Sequence, residues 1–148
     1  MSKNRAYGIC IYKIEEDGSI KLLLCKSIKS RDKWGFLKGL ILRYEEPKRC
    51  AQREFFEESS IFVEMDVFEE YFEQNNETKD IGIWLVNANN VADLEDYFYE
   101  DRLATNYLSW ENSKVKFFDI TKMPKIRSKQ KQIAKAIKSF LKSKHLSH

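Results

Sequence analysis

Glu54, Glu57 and Glu58 stand at i, i+3 and i+4 in a stretch that reads as a helix, and this triplet constrains the chain more than any other feature. On a helix, that spacing puts all three carboxylates on one face. Like charges so placed repel one another by roughly 0.2–0.5 kcal/mol per pair in water. The fold gains nothing from this unless a positive charge sits among them. One reading is a solvated acidic face, with Lys48 and Arg49 in ordinary surface ion pairs. The other is a site for a divalent cation, and magnesium suits a set of hard carboxylate and phosphate oxygens.

Pro47 supports the helix, because its missing N–H is harmless in a first turn. Glu45 and Glu46 precede it and complement the positive end of the helix dipole. The helix is predicted to run to about Ser59. Upstream, residues 7–14 alternate as a strand, with Tyr7, Ile9, Ile11 and Lys13 on one face and Gly8, Cys10, Tyr12 and Ile14 on the other. Asp17-Gly18 is a turn signal, and residues 20–25 complete a hairpin. Residues 27–33 read as a polar loop, the aromatic Trp34-Gly35-Phe36-Leu37-Lys38-Gly39 follows, and residues 40–42 read as a short strand.

Downstream, residues 61–68, 81–86 and 115–120 read as strands, with polar residues 74–79 between the first two. Residues 87–107 mix acids and aromatics and suggest helical turns. Residues 125–144 read as a final helix, with Ile126, Ile133, Ile137, Phe140 and Leu141 at helical spacing. Strands interspersed with two main helices predict an α/β protein with a mixed sheet and helices packed on it. The 148 residues suit one domain, 1–148, with one core.

Apolar residues make up 43% of the chain, too many for disorder, yet no run approaches the ~18–20 needed to span a bilayer. Residues 1–5 lead straight into a strand-like segment, so no secretory leader is expected. Cys10, Cys25 and Cys50 are odd in number and widely spaced, which argues against a disulfide framework or a zinc site. Three buried thiols in a cytoplasmic protein is the expectation. The net charge of +3 hides an asymmetry: residues 122–144 hold nine Lys/Arg and no acid, which leaves the remainder at −6. The basic segment reads either as a solvated helix face or as a grip for an anionic partner such as RNA. Monomer and homodimer are both compatible with the sequence.

The wider spacing adds to the triplet. Gly39, five residues, Glu45, seven residues, Arg53-Glu54, apolar Phe55, one residue, Glu57-Glu58, one residue, Ser60 and apolar Ile61 together resemble the Nudix box, matching six of its seven fixed positions. The strand pattern on both sides is also similar to that family. There are three departures. Ser60 replaces a glycine that ends the helix in a left-handed conformation. Phe55 fills a position usually aliphatic. The run Phe36-Leu37-Lys38-Gly39-Leu40 lacks a proline and a second glycine common in relatives.

The resemblance implies an α/β/α sandwich and Mg²⁺-dependent cleavage of a pyrophosphate bond, with Mn²⁺ as a substitute ion. It implies that Glu54, Glu57 and Glu58 bind metal with the Gly39 carbonyl, that Arg53 orients them, and that Glu45 supports them from behind. Such chemistry suits a polyanion, because the metal neutralises phosphate charge, acidifies water and aligns the reacting oxygens, while a carboxylate accepts the proton.

Leu108-Ser109-Trp110-Glu111 resembles a segment of the diadenosine tetraphosphate hydrolases, which favours Glu111 over Glu95 or Glu100 as a further carboxylate. A surface glutamate is the alternative. Lys38, Trp34 and Tyr71 are read as substrate-binding candidates, with Phe72 and Trp84 as other rings able to stack on a base; core packing is the competing reading for the aromatics. A dinucleoside polyphosphate is the favoured substrate. RNA 5′-pyrophosphohydrolase or decapping activity and a non-catalytic nucleotide-binding protein are the alternatives.

Overall fold

The computed structural model describes residues 3–30 and 32–146. Met1 and Ser2 of the amino-terminal run, and Arg31 of the expected loop, lie outside them. β1 (Asn4–Ile14) is the spine of the sheet. β2 (Ile20–Ser27) returns antiparallel to it after the Asp17-Gly18 turn, where Gly18 has φ 87°. The next strand, β3 (Leu37–Leu40), pairs with β1 at Ala6 to Ile9, nearer its start than β2 does. α1 (Pro47–Ser59) follows. β4 (Tyr71–Asn75) and β5 (Lys79–Asn87) form a second hairpin, and β5 runs parallel to β1. Two-residue strands β6 (Phe98–Tyr99) and β7 (Arg102–Leu103) precede β8 (Asn112–Asp119), which pairs antiparallel with β2. α2 (Lys131–Leu146) closes the described chain. The sheet order is β4-β5-β1-β2-β8-β7-β6, with β3 beside β1.

The alternation along β1 decides which helix covers which face. Tyr7, Ile9 and Ile11 join Leu23, Trp84 and Val86 against Cys50, Ala51 and Phe55 of α1. Cys10 and Tyr12 join Leu22, Leu24, Ile83 and Leu85 against Ile133, Ala134, Ile137 and Leu141 of α2. Each fully buried aliphatic or Phe side chain contributes roughly 1.5–3 kcal/mol. The result is the expected α/β/α sandwich.

Three local expectations are corrected. Residues 61–68 are not a strand. Ile61 and Val63 are buried and alternate with exposed Phe62 and Glu64, which mimics a strand. The Val63 carbonyl, however, accepts a hydrogen bond from the Gln52 side chain at 2.8 Å, where a sheet neighbour would otherwise donate. The strand lies later, at β4, whose polar edge position hid it. The expected strand at residues 40–42 sits instead at Leu37–Leu40. The final helix starts at Lys131, not at residue 125. Before it, Ile126 forms a parallel bridge with Trp34, so this buried residue reaches the core from extended backbone.

α1 ends at Ser60, which adopts the left-handed conformation (φ 66°, ψ 9°) and donates its N–H to the Phe56 carbonyl at 2.8 Å. A side chain with Cβ is strained there. Ser60→Gly is expected to raise unfolding free energy by about 0.5–1 kcal/mol in urea titration. An unchanged or lower midpoint would show that the cap carries no strain.

Candidate active site

The site is organised by one guanidinium. Arg53 Nε and Nη2 donate to the two Glu45 oxygens at 2.7 and 2.9 Å, a bidentate pair. Its Nη1 donates to Glu54 at 2.8 Å and to Glu57 at 3.3 Å, and Nη2 also reaches the Leu40 carbonyl at 3.2 Å. Glu45 in turn accepts the Leu42 N–H at 3.0 Å. The loop between β3 and α1 is thereby tied to the first two turns of the helix. These hydrogen bonds from Arg53 hold the Glu45 carboxyl below its ordinary range, and Glu45 keeps Arg53 charged.

Gly39 leaves room for the Glu54 carboxylate, the end of a flexible side chain that an added Cβ would push aside. The Gly39 carbonyl accepts a weak bond from the Cys50 thiol at 3.4 Å, so it faces α1. Burial raises the Glu54 pKa; Arg53 opposes that shift, while Glu57 and Glu111 add to it. Burial likewise pushes Glu58 up to about 8, with Glu54 and Glu111 adding to the rise. The Asn112 amide, donating to Glu58 at 3.2 Å, and the charge of Lys38 pull the other way. Glu57 is more open, its side chain 55% exposed.

The donors are oxygens only, which fits a hard divalent cation. Among the described residues, no three His, Cys, Asp or Glu side chains converge closely enough to enclose an ion as they stand. The fit therefore rests on donor chemistry and on the mutual repulsion of Glu54, Glu58 and Glu111, which a bound cation would relieve.

Beside this acidic group lies a cavity of about 160 Å³, lined by Glu58, Glu111 and Asn112 together with Lys38, Arg127 and Gln130. The structure thus brings Glu111 and Lys38 to the box residues. Trp34 and Tyr71 do not line that cavity. Trp34 packs edge-on against Phe118, with ring centroids 4.6 Å apart. Tyr71 lies over Gly82 and against Trp84, with centroids also 4.6 Å apart, and its hydroxyl donates to Glu73. Asn112 and Arg127 were not singled out in the sequence. Arg127 was visible only as one of many basic residues near the end, and Asn112 carried no signal beyond following Glu111. A larger cavity of about 710 Å³, lined by Lys13, Asp101 and Phe117 among others, contains none of the box residues. Cys10, Cys25 and Cys50 are free and buried, and burial pushes the Cys10 thiol up to about 12 and Cys50 to about 11.

A family model for the NUDIX domain matches residues 3–140. The chain belongs to the NUDIX family of hydrolases, whose members generally use divalent metal ions. No curated protein matches the sequence. Among solved structures, a mutT/nudix family protein from Listeria innocua is similar over the full length of both chains, with TM-score 0.65 and 13% identity. An Ap4A hydrolase from C. elegans has TM-score 0.54 and 22% identity, covering 80% of this chain and 81% of that one. A MutT/nudix family protein from Enterococcus faecalis has TM-score 0.59 and 15% identity over 80% of this chain, which spans only 44% of that longer one. At these identities the likeness is one of fold.

The raised Glu58 pKa has a consequence for metal-free protein. Its folded pKa lies above the ordinary carboxylate value, so the folded state binds more protons than the unfolded state between those pKa values. Stability in chelator should therefore fall as pH rises from about 4.5 to 8, on the order of 1 kcal/mol per pH unit within that window. Thermal or urea unfolding across this range should show the decline, and Glu58→Gln should flatten it. A wild-type profile as flat as that of the variant would show that Glu58 ionises normally.

Proposed function

We propose that the chain uses Mg²⁺ to hydrolyse a phosphoanhydride bond in a nucleotide-like substrate, most specifically a dinucleoside polyphosphate such as diadenosine tetraphosphate. The observation that carries this reading is the mixed lining of the smaller cavity. Carboxylates Glu58 and Glu111 and cations Lys38 and Arg127 line one concave space. A phosphate chain undergoing attack calls for both: a cationic wall to hold the anion and a carboxylate wall for metal and proton.

Glu54, Glu57, Glu58 and the Gly39 carbonyl would hold the metal. When bound, Mg²⁺ supplies charge neutralisation and a more acidic water, and Mn²⁺ offers the same chemistry. Arg53 aligns Glu54 and Glu57, and Glu45 fixes Arg53. Glu58 and Glu111 line the cavity, and in this reading one of them accepts the proton of the attacking water. The Asn112 amide fixes one oxygen of Glu58. Lys38, beside Gly39, draws the phosphate toward the carboxylates. Base stacking by Trp34 or Tyr71 would use rings that already pack against Phe118 and Trp84.

The dinucleoside reading is supported by the Leu108 to Glu111 segment and by the fold shared with the C. elegans Ap4A hydrolase. RNA 5′-pyrophosphohydrolase activity is the second reading, favoured by exposed Lys131, Lys135 and Lys142 on α2. A cytoplasmic setting agrees with three free thiols, and no described helix is long and apolar enough to cross a membrane.

Purified protein should be assayed with nucleoside triphosphates, dinucleoside polyphosphates, nucleotide sugars and triphosphorylated RNA, with products identified by mass. Turnover should require Mg²⁺ and stop with chelator. Glu57→Gln should lower kcat by roughly 10²–10⁴-fold without lowering the thermal midpoint, because that half-exposed carboxylate serves the site and not the core. Near-normal rates in the variant would remove Glu57 from the site. Preferential cleavage of triphosphorylated RNA would replace the dinucleoside reading.

A further inference from the structure

Next to the cavity of Glu58 and Glu111 lies a second groove, of about 320 Å³. Lys33, Lys38, Lys79, Arg127 and Lys129 line it. Lys38, Arg127 and Gln130 line both spaces, so the two adjoin. The five cations come from three separate stretches of chain. Among the described residues, none of the five has a carboxylate within ion-pair distance, although the protein holds 23 acids.

The groove is built and held. Arg127 donates its backbone N–H to the Trp34 carbonyl at 3.0 Å, and buried Gln130 accepts the Phe36 N–H at 2.8 Å. Asn76 donates to the Lys129 carbonyl at 3.0 Å, Gln74 donates to the Ser128 carbonyl at 3.3 Å, and the Gln132 N–H donates back to Gln74 at 2.9 Å. The turn that carries Arg127 and Lys129 is thus clamped between the β4-β5 hairpin and the segment leading into β3. The cations feel one another: burial lowers the Lys79 pKa, and Lys129 and Arg127 lower it further. A protein that fixes like charges together in a concave space leaves repulsion that an anion would relieve.

We infer that this groove is a second anion subsite, which takes the phosphoryl groups of a phosphate chain beyond the bond being cleaved and so favours substrates with three or more linked phosphates. A single phosphate monoester carries about −1.5 to −2 charge. Five cations exceed what one such group would neutralise and match a chain. The inference rests on the proposed hydrolase reading for its direction, since the chain enters from the side of Glu58 and Glu111. It also separates Arg127 and Lys129 from the rest of the basic terminal segment: exposed Lys135 and Lys142 do not line the groove.

The test is calorimetric titration of inorganic tripolyphosphate into chelator-treated protein, comparing wild type with Arg127→Gln/Lys129→Gln, with Lys79→Gln, and with a Lys135→Gln/Lys142→Gln control of equal charge loss to the first. The double groove variant is expected to bind roughly 10-fold more weakly, with a shallower salt dependence. Lys79→Gln should shift binding in the same direction, and the control should change it less than about 2-fold. Thermal melts verify that each variant is folded.

In turnover, the preference for a four-phosphate dinucleotide over a two-phosphate nucleotide sugar should shrink in the groove variants, through KM. Equal losses in groove and control variants, or no loss in either, would overturn the subsite. An undiminished substrate preference would overturn its role in selection. Single-stranded RNA bound in a length-dependent, groove-dependent way, with tripolyphosphate binding indifferent to every variant, would overturn it in favour of a nucleic-acid backbone. If tripolyphosphate binding falls only in the groove variants of a protein that cleaves no phosphoanhydride, the subsite stands and the hydrolase reading falls.

Discussion

The site depends on the planarity of one guanidinium. Arg53 presents its N–H groups in a fixed fork, and three carboxylates and a backbone carbonyl arrange themselves around it. A lysine ammonium at the same position would be a point charge and could not pair both Glu45 oxygens while reaching Glu54. The fork also fixes the loop from β3 to α1, because Glu45 is held at one oxygen by the Leu42 N–H and at both by Arg53. Gly39 on β3 and Glu54 on α1 are therefore brought into register, close enough that the Glu54 carboxylate occupies the space a side chain at position 39 would take.

Around that fixed point the charges divide into two poles. Glu54, Glu57, Glu58 and Glu111 gather on the α1 side, and Lys38, Arg127, Lys79 and Lys129 gather toward the turn before α2. The strand β3 carries the boundary. Alternation through β3 and the residue before it sends Leu37 into the core against α1 and Phe36 into the core against α2, so that adjacent residues Lys38 and Gly39 serve opposite poles. A two-residue period does here what a long loop would do less reproducibly.

Much of this was legible because each signal was local. Pro47 marked the start of α1, the triplet marked its acidic face, and Ser60 marked its end, where it takes the left-handed backbone that a glycine usually supplies. The β1-β2 hairpin was likewise written in alternation and a single Asp-Gly. What escaped depended on partners distant in sequence. Residues 61–64 alternate like a strand, but the Gln52 side chain satisfies the Val63 carbonyl that a strand would have paired. Ile126 falls at helical spacing from Ile133, yet it is held in extended form by Trp34. β4 was obscured because an edge strand can be polar. Arg127 and Asn112 gained meaning only once the sheet had carried them to Glu58 and Lys38.

The hydrogen bond from the Phe36 N–H to Gln130 joins residues 94 positions apart. Its companions, Trp34 to Lys125 and Arg127 to Trp34, span similar distances along the chain. Closing so long a loop costs entropy that nearby contacts cannot repay in advance. The part of the carboxylate pole on residues 39–58 can take shape as soon as β1, β3 and α1 meet, but Glu111 joins it only when the segment before β8 docks. Arg127 and Lys129 of the cationic pole join Lys38 and Lys79 only when the turn before α2 docks. Each pole thus joins residues far apart along the chain, so the two-signed groove is a product of tertiary folding and exists in no single segment.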